Sequence, residues 1–156
     1  MKVLYISNYK DGTGWANAAI NNILALDSVG VEVVPRAITF NSGDNEYPQR
    51  LKELEDNNIN DCDICIQHTL PHLYSYNGNF KNIGFFATEA SNFKDTNWHK
   101  FCNMMDELWV PSLHTKGAAR ISGVTKPIHV APHSLDISRY QDVNGGQIDE
   151  LLNGYN

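Results

Sequence analysis

Short apolar runs alternate along this chain with longer segments in which apolar residues recur at helical spacing. The opening run, Lys2–Ser7 (KVLYIS), is rich in β-branched and aromatic residues and predicts a buried strand. Residues 15–28 carry an apolar stripe on one face and predict an amphipathic helix, with Gly30 placed as its C-terminal glycine. The same strand–helix order continues downstream.

Five more strands and three more helices are predicted. The strands are expected at residues 31–38, 62–68, 82–88, 107–111 and 128–131. The helices are expected at residues 48–57, 95–105 and 112–121, with Ser112 as the N-cap of the last. Pro35 indicates that the second strand lies at an edge or ends there. This alternation predicts an α/β fold: a Rossmann-like, doubly wound, mostly parallel six-stranded sheet with helices on both faces.

The length of 156 residues fits one domain. We expect a domain over residues 1–140 and a polar tail over residues 141–156, with a short helical segment near Ile148–Leu152. No signal-peptide pattern opens the chain, and no apolar run approaches the roughly 18 residues of a membrane span. These features and an odd number of cysteines favour a cytoplasmic protein without a transmembrane segment.

The net charge argues against nucleic acid as a ligand, and the cysteine spacing argues against a zinc site. A net charge of −6, from 12 basic and 18 acidic residues, argues against binding to nucleic acid phosphates. Cys62 and Cys65 resemble half of a zinc site, but strand alternation would place them on opposite faces, and no second cysteine pair is present. We therefore expect no metal.

The first strand-to-helix loop is the strongest local signal, because ligands of such folds bind beyond the carboxyl ends of the strands. Gly12, Thr13 and Gly14 lead into Trp15 at the start of the helix. Glycines let backbone amides approach an anion, and the helix presents its positive end, although a Gly-x-Gly loop taken alone is more often a simple turn. It is not the dinucleotide fingerprint, because Asn17 occupies the third glycine position.

Two polar residues follow later strands. His68 ends strand three and can act as an acid, a base or a sugar ligand, or can be a loop histidine bonded to backbone. Glu89 follows strand four, where its carboxylate can accept substrate hydroxyls, hold an arginine or cap a helix. Trp98 is expected in the core, or stacked on a sugar.

Four segments together resemble the N-terminal domain of group 1 glycosyltransferases, which have the GT-B fold. They are the opening strand with its glycine loop and helix, FATE at 86–89, DELWVPS at 106–112, and SGV with PIHVAPHSLD at 122–136. DELWVPS is the most specific of these, and the likeness covers about residues 1–140. Thr88-Glu89 stands where many members have a histidine, and Ser134 replaces a usual glycine.

The resemblance implies transfer of a sugar from a nucleotide-sugar donor to a hydroxyl acceptor, with retention and without a metal or cofactor. The residues that it assigns are Gly12–Trp15 at the donor diphosphate, His68, Thr88, Glu89, Ser91 and Trp98 at the acceptor, and His133 and Asp136 between domains. Glu89 and His68 are the catalytic candidates among them.

The family's nucleotide sugar is bound by a second, C-terminal domain, which would begin near the end of this sequence. We therefore expect the chain to need that domain in cis or in trans, and to have negligible transferase activity alone. The alternatives are a small nucleotide-binding Rossmann domain and a non-catalytic α/β interaction module.

Overall fold

The computed structural model describes residues 1–40 and 45–137, and its centre is a six-stranded sheet. The strands are β1 (Lys2–Ser7), β2 (Glu32–Ala37), β3 (Ile64–His68), β4 (Lys81–Phe85), β5 (Glu107–Val110) and β6 (Ile128–Val130). Their order is β2-β1-β3-β4-β5-β6, and every neighbouring pair is parallel. The predicted α/β fold is confirmed, and the sheet is parallel throughout. Pro35 lies in β2, at the edge of the sheet, as predicted.

Helices cover both faces of the sheet. They are α1 (Gly14–Ser28), α2 (Gln49–Glu55), α3 (Trp98–Cys102) and α4 (Leu113–Ile121), with short 3₁₀ turns at Pro71–Leu73 and Lys94–Thr96. The two faces of β5 contribute to different cores. Trp109 packs against the apolar cluster that includes α1 and α2. Leu108 and Val110 belong to the apolar cluster that includes α3 and α4. Successive side chains of a strand point to opposite faces, so these helix pairs lie on opposite sides.

The helix ends follow the sequence signals. Thr13 is the N-cap of α1 and accepts a hydrogen bond from the amide of Ala16, and Ser112 caps α4 in the same way. Among the described residues, no helix has the length and apolar character needed to cross a membrane.

Two elements differ from their predictions. Strand β4 ends at Phe85, whereas it was predicted to reach residue 88. The apolar run continues beyond the end of the strand because Phe86 is buried in the second core. The helix predicted over residues 95–105 is a 3₁₀ turn followed by the short α3. Asn97 separates them with a left-handed backbone (φ 59°), which interrupts regular helix.

The cysteine argument from strand alternation was wrong. Cys62 precedes β3 instead of lying in it, and it joins Cys65, Leu4 and Val34 in one small apolar cluster. Both thiols are free, and burial raises the pKa of Cys65 to about 11. In the described part of the chain, no three His, Cys, Asp or Glu side chains group as metal ligands.

The order in which successive strands are added reverses between β1 and β3. Strand β2 lies on one side of β1 and β3 on the other, and in open α/β sheets ligands commonly bind beyond the carboxyl ends of the strands at such a point. The predicted tail, including Ile148–Leu152, and part of the predicted loop at 39–47 fall outside the described residues.

Candidate functional site

Four polar side chains are buried without a complete set of partners where β1 and β3 end. Ser7 and His68 are register neighbours on the two strands, and Asp11 and Thr69 follow them in the loops. The atoms Ser7 Oγ, Asp11 Oδ1, His68 Nε2 and Thr69 Oγ1 have no hydrogen-bond partner, and the four residues are at most 6% exposed. Only two other buried side-chain atoms in the described residues share this condition. Since each such group costs about 1–3 kcal/mol, their concentration makes this edge of the sheet the candidate site.

A hydrogen-bonded relay holds His68 in place. Asn22 Oδ1 accepts from the amide of Ser134 at 2.8 Å, so its Nδ2 is the donor to Tyr5 Oη at 3.4 Å. Tyr5 Oη and His68 Nδ1 share a hydrogen bond at 2.9 Å, whose direction is set by the tautomer of the ring. The other ring nitrogen, Nε2, is the unpaired atom.

His68 is held neutral. Its ring stacks on Phe85 at 4.4 Å between centroids, with His133 at 5.4 Å and Trp15 at 5.5 Å. Burial, and then the nearby His133, lower the pKa of His68 to about 3. An imidazole with this pKa is a weak base at neutral pH, so the environment favours a hydrogen-bonding role over proton abstraction.

Two pockets open at the carboxyl edge of the sheet. The first, which we call the loop pocket, has a volume of about 170 Å³ and is lined by Asp11, Thr13, Phe40 and Thr69, among others. The second, which we call the tryptophan pocket, has a volume of about 510 Å³ and is lined by Thr88, Glu89, Trp98, Ser112 and others. Trp15 and Leu70 line both pockets and form the wall between them.

Each pocket contains one carboxylate. In the loop pocket, Asp11 Oδ2 accepts from Asn8 Nδ2 at 3.3 Å and from the amide of Phe40 at 3.4 Å, whereas its Oδ1 is unpaired. In the tryptophan pocket, the carboxylate is that of the exposed Glu89. Neither pocket has a lysine, arginine or histidine among its described lining residues.

The structure accounts for Gly12 and Gly14 in different ways. Gly12 has φ +67°, which L side chains rarely adopt, and a Cβ there would displace the Asn45 side chain, whose Oδ1 would lie 2.5 Å away. Gly14, the first residue of α1, would place a Cβ more than 4 Å from every described atom outside its chain neighbours and the nearby backbone of its own helix, and its φ is not left-handed. No contact within the described chain requires a glycine at position 14, which leaves room for a ligand.

A cluster around Glu55 holds the glycine loop against α2. Lys10 Nζ lies 2.8 Å from Glu55 Oε1, which also accepts from Tyr9 Oη, and Tyr47 Oη donates to Oε2 at 3.1 Å. Lys10 also lies over the ring of Tyr47, 5.1 Å from its centroid. These contacts join the loop to an element outside the site, so the loop's position depends on Glu55.

The predicted acceptor residues separate into groups. Thr88, Glu89 and Trp98 share the tryptophan pocket, as expected if they act together. His68 is fully buried and lies on neither pocket wall, and Ser91 is exposed and lines neither pocket.

The predicted interdomain residues lie on the segment that follows β6. His133 is half-buried against His68, with its pKa lowered by burial. Asp136 lies in a groove along α1, beside Asn17 and Asn21. This segment is thus in contact with both α1 and the buried relay.

Sequence reasoning missed several residues of the site. Asp11 stands inside the glycine loop, and Ser7 and Thr69 adjoin the strand ends, so their positions were a usable signal. Tyr5 and Asn22 gave none, because their pattern is that of an ordinary buried strand and helix.

Comparison with models of protein families finds no match to this sequence. No curated protein sequence is significantly similar to it either.

Proposed function

We propose that this chain is the acceptor-side domain of a GT-B glycosyltransferase, and that its site binds a hydroxyl-bearing acceptor. The observation that carries the proposal is the set of unpaired polar atoms at the ends of β1 and β3. Two of them, the Asp11 carboxylate and the Thr69 hydroxyl, line the loop pocket and can respectively accept from a ligand and both donate and accept. Sugar hydroxyls, which donate and accept, match this mixture.

The tryptophan pocket supports the same class of ligand. Trp98 packs against Phe93 and lies 6.2 Å from His72 between ring centroids, so its orientation is set by the protein. Glu89 and Thr88 line the same pocket and can take hydroxyl hydrogen bonds. An aromatic surface with a few polar groups is typical of small-molecule sites that hold an apolar ring face and orient its polar edge.

The donor is proposed to approach over Gly14. This residue is exposed, carries no side chain and begins a 15-residue helix, whose positive end favours a diphosphate. Gly12 acts indirectly, since it shapes the turn. The nucleotide of the donor is assigned to a second domain, in cis or in trans, and residues 1–156 alone are expected to show negligible turnover.

The dinucleotide-binding alternative has less support. The loop lacks the third glycine, and β2 ends at Arg36 and Ala37, with no acidic residue there to hold a ribose. The interaction-module alternative gives no role to the unpaired atoms.

The test is transfer by the native polypeptide that carries this sequence, captured with an antibody against residues 1–156. Nucleoside diphosphate release is measured with a panel of nucleotide sugars, with and without saccharide acceptors. We expect release that increases on addition of an acceptor. No release from any nucleotide sugar, or retention on an immobilised nicotinamide dinucleotide, would contradict the proposal.

A further inference from the structure

The two pockets are adjacent compartments of one cleft. Trp15 extends from the first turn of α1 and lines both, as does Leu70 from the loop after β3. The position of Trp15 is fixed by its contacts with buried residues. Its ring centroid lies 5.5 Å from that of His68, and its side chain packs against the second core. A ligand that fills one pocket therefore reaches the other by crossing a fixed tryptophan.

The charges select against anions. Asp11 is in the smaller pocket and Glu89 in the larger, and no described lining residue is basic. Asp11 is 6% exposed, so water screens its charge poorly, and a phosphate or carboxylate placed beside it would be repelled. A hydroxyl group, in contrast, can donate to the unpaired Asp11 Oδ1 in a charge-assisted hydrogen bond.

The loop pocket is a built site for a single polar ring. Its unpaired acceptor on Asp11 and unpaired hydroxyl on Thr69 belong to side chains that are 94% or more buried. Trp15 and Phe40 supply apolar surface to the same pocket. At about 170 Å³ it is below the roughly 300–1,000 Å³ of pockets that hold whole drug-sized ligands, so it suits one unit of a larger molecule.

We infer that the ligand of this cleft is an uncharged oligosaccharide of at least two units, with one unit in the loop pocket, the next in the tryptophan pocket, and the linkage over Trp15. This inference rests on the proposed function and names the class of its acceptor. It assigns Asp11 and Glu89 to hydroxyl recognition at adjacent units. It also excludes the diphosphate of a donor from the loop pocket itself.

The test begins with an array of neutral and anionic oligosaccharides, probed with residues 1–156. The neutral oligosaccharide that binds most strongly is then titrated by calorimetry, beside its constituent monosaccharides and inorganic pyrophosphate. We expect the oligosaccharide to bind at least about tenfold more tightly than any single unit, because a second linked unit adds contacts without a second association cost. Pyrophosphate is expected to compete negligibly.

The variants Asp11→Asn and Glu89→Gln keep the shapes of the two side chains and remove their charges. Each is expected to weaken oligosaccharide binding about tenfold, as loss of a charge-assisted hydrogen bond predicts. Asp56→Asn, at an exposed carboxylate after α2, is the matched control and should bind as the parent does. Amide NMR spectra of each variant establish that it is folded.

Several outcomes would overturn the inference: no neutral oligosaccharide bound, an anionic one bound more tightly, or binding weakened by only one of the two charge-removing variants. The last would place the ligand in a single pocket. Failure here with nucleoside diphosphate release intact would leave the transferase proposal standing. Oligosaccharide binding without release by the native polypeptide would instead contradict the transferase proposal alone.

Discussion

Burial of a neutral histidine makes the stability of this domain depend on pH in a specific way. His68 has a pKa of about 3 in the folded protein, against about 6.5 for an unfolded chain. As the pH falls below the unfolded value, the unfolded chain takes up a proton at this residue and the native protein does not. Acid therefore favours unfolding, and the loss of stability grows until the pH reaches the pKa of His68 in the folded protein.

The magnitude follows from the width of that window. Between pH 7 and about pH 4.5, His68 in the unfolded chain binds nearly a full proton over about two pH units. At about 1.36 kcal/mol per pH unit, this uptake lowers the free energy of unfolding by about 2–3 kcal/mol. The variant His68→Gln removes this titration. We expect the free energy of unfolding of the parent to fall by that much more than the variant's over the same interval.

The assay is urea denaturation at a series of pH values, with the slope on urea checked for constancy. Carboxylates titrate in both proteins, so comparison of the two pH profiles isolates His68. Leu51→Ala is the control, because it destabilises the core at α2 without removing a titrating group or a ring contact of His68, and its profile should parallel the parent's. Equal losses in the parent and in His68→Gln would refute the buried, neutral assignment.

Three other outcomes are expected. Gly12→Ala should lower the free energy of unfolding by about 1–2 kcal/mol, because an alanine is strained at this left-handed φ. Gly14→Ala should change the free energy of unfolding by less than about 0.5 kcal/mol, and comparable urea curves for the two variants would contradict these reasons. Glu55→Gln should lower the free energy of unfolding by about 1 kcal/mol and speed hydrogen exchange at the amides of loop residues 8–13. Unchanged exchange would show that the position of the loop does not depend on Glu55. Residues 1–156 alone should release no nucleoside diphosphate from nucleotide sugars above a blank, and turnover would show that no second domain is needed.

Most of the fold was predictable because it depends on local apolar patterns. Strand β1 is an isolated apolar run, and it was predicted to the residue. Ser112 was predicted as the N-cap of α4, because a hydroxyl before a helical pattern has few other uses. The end of β4 was not predictable, since Phe85 and Phe86 look alike in sequence but enter different cores.

The site was predictable only where position along the chain implied position in space. Glu89 and Thr88 follow a strand directly, and the structure puts both in the tryptophan pocket. The relay of Tyr5, Asn22 and His68 joins residues up to 63 positions apart, and it depends on strand register and helix rotation that no local pattern reveals. Asp11 was not predicted as a site residue, because a carboxylate in a glycine-rich loop is ordinarily solvated, whereas the structure buries it with one oxygen unpaired.

The central claim is that the crevice between β1 and β3 binds a hydroxyl-rich, uncharged ligand. The most direct measurement is a map of amide NMR shifts when the best-binding neutral oligosaccharide is added to residues 1–156. We predict shifts concentrated in residues 8–15, 69–70 and 87–90 with the oligosaccharide, and shifts limited to residues 13–15, at the start of α1, with inorganic pyrophosphate. Shifts confined to other parts of the sheet, or a stronger response of residues 8–11 and 69–70 to pyrophosphate than to the oligosaccharide, would contradict the proposed site.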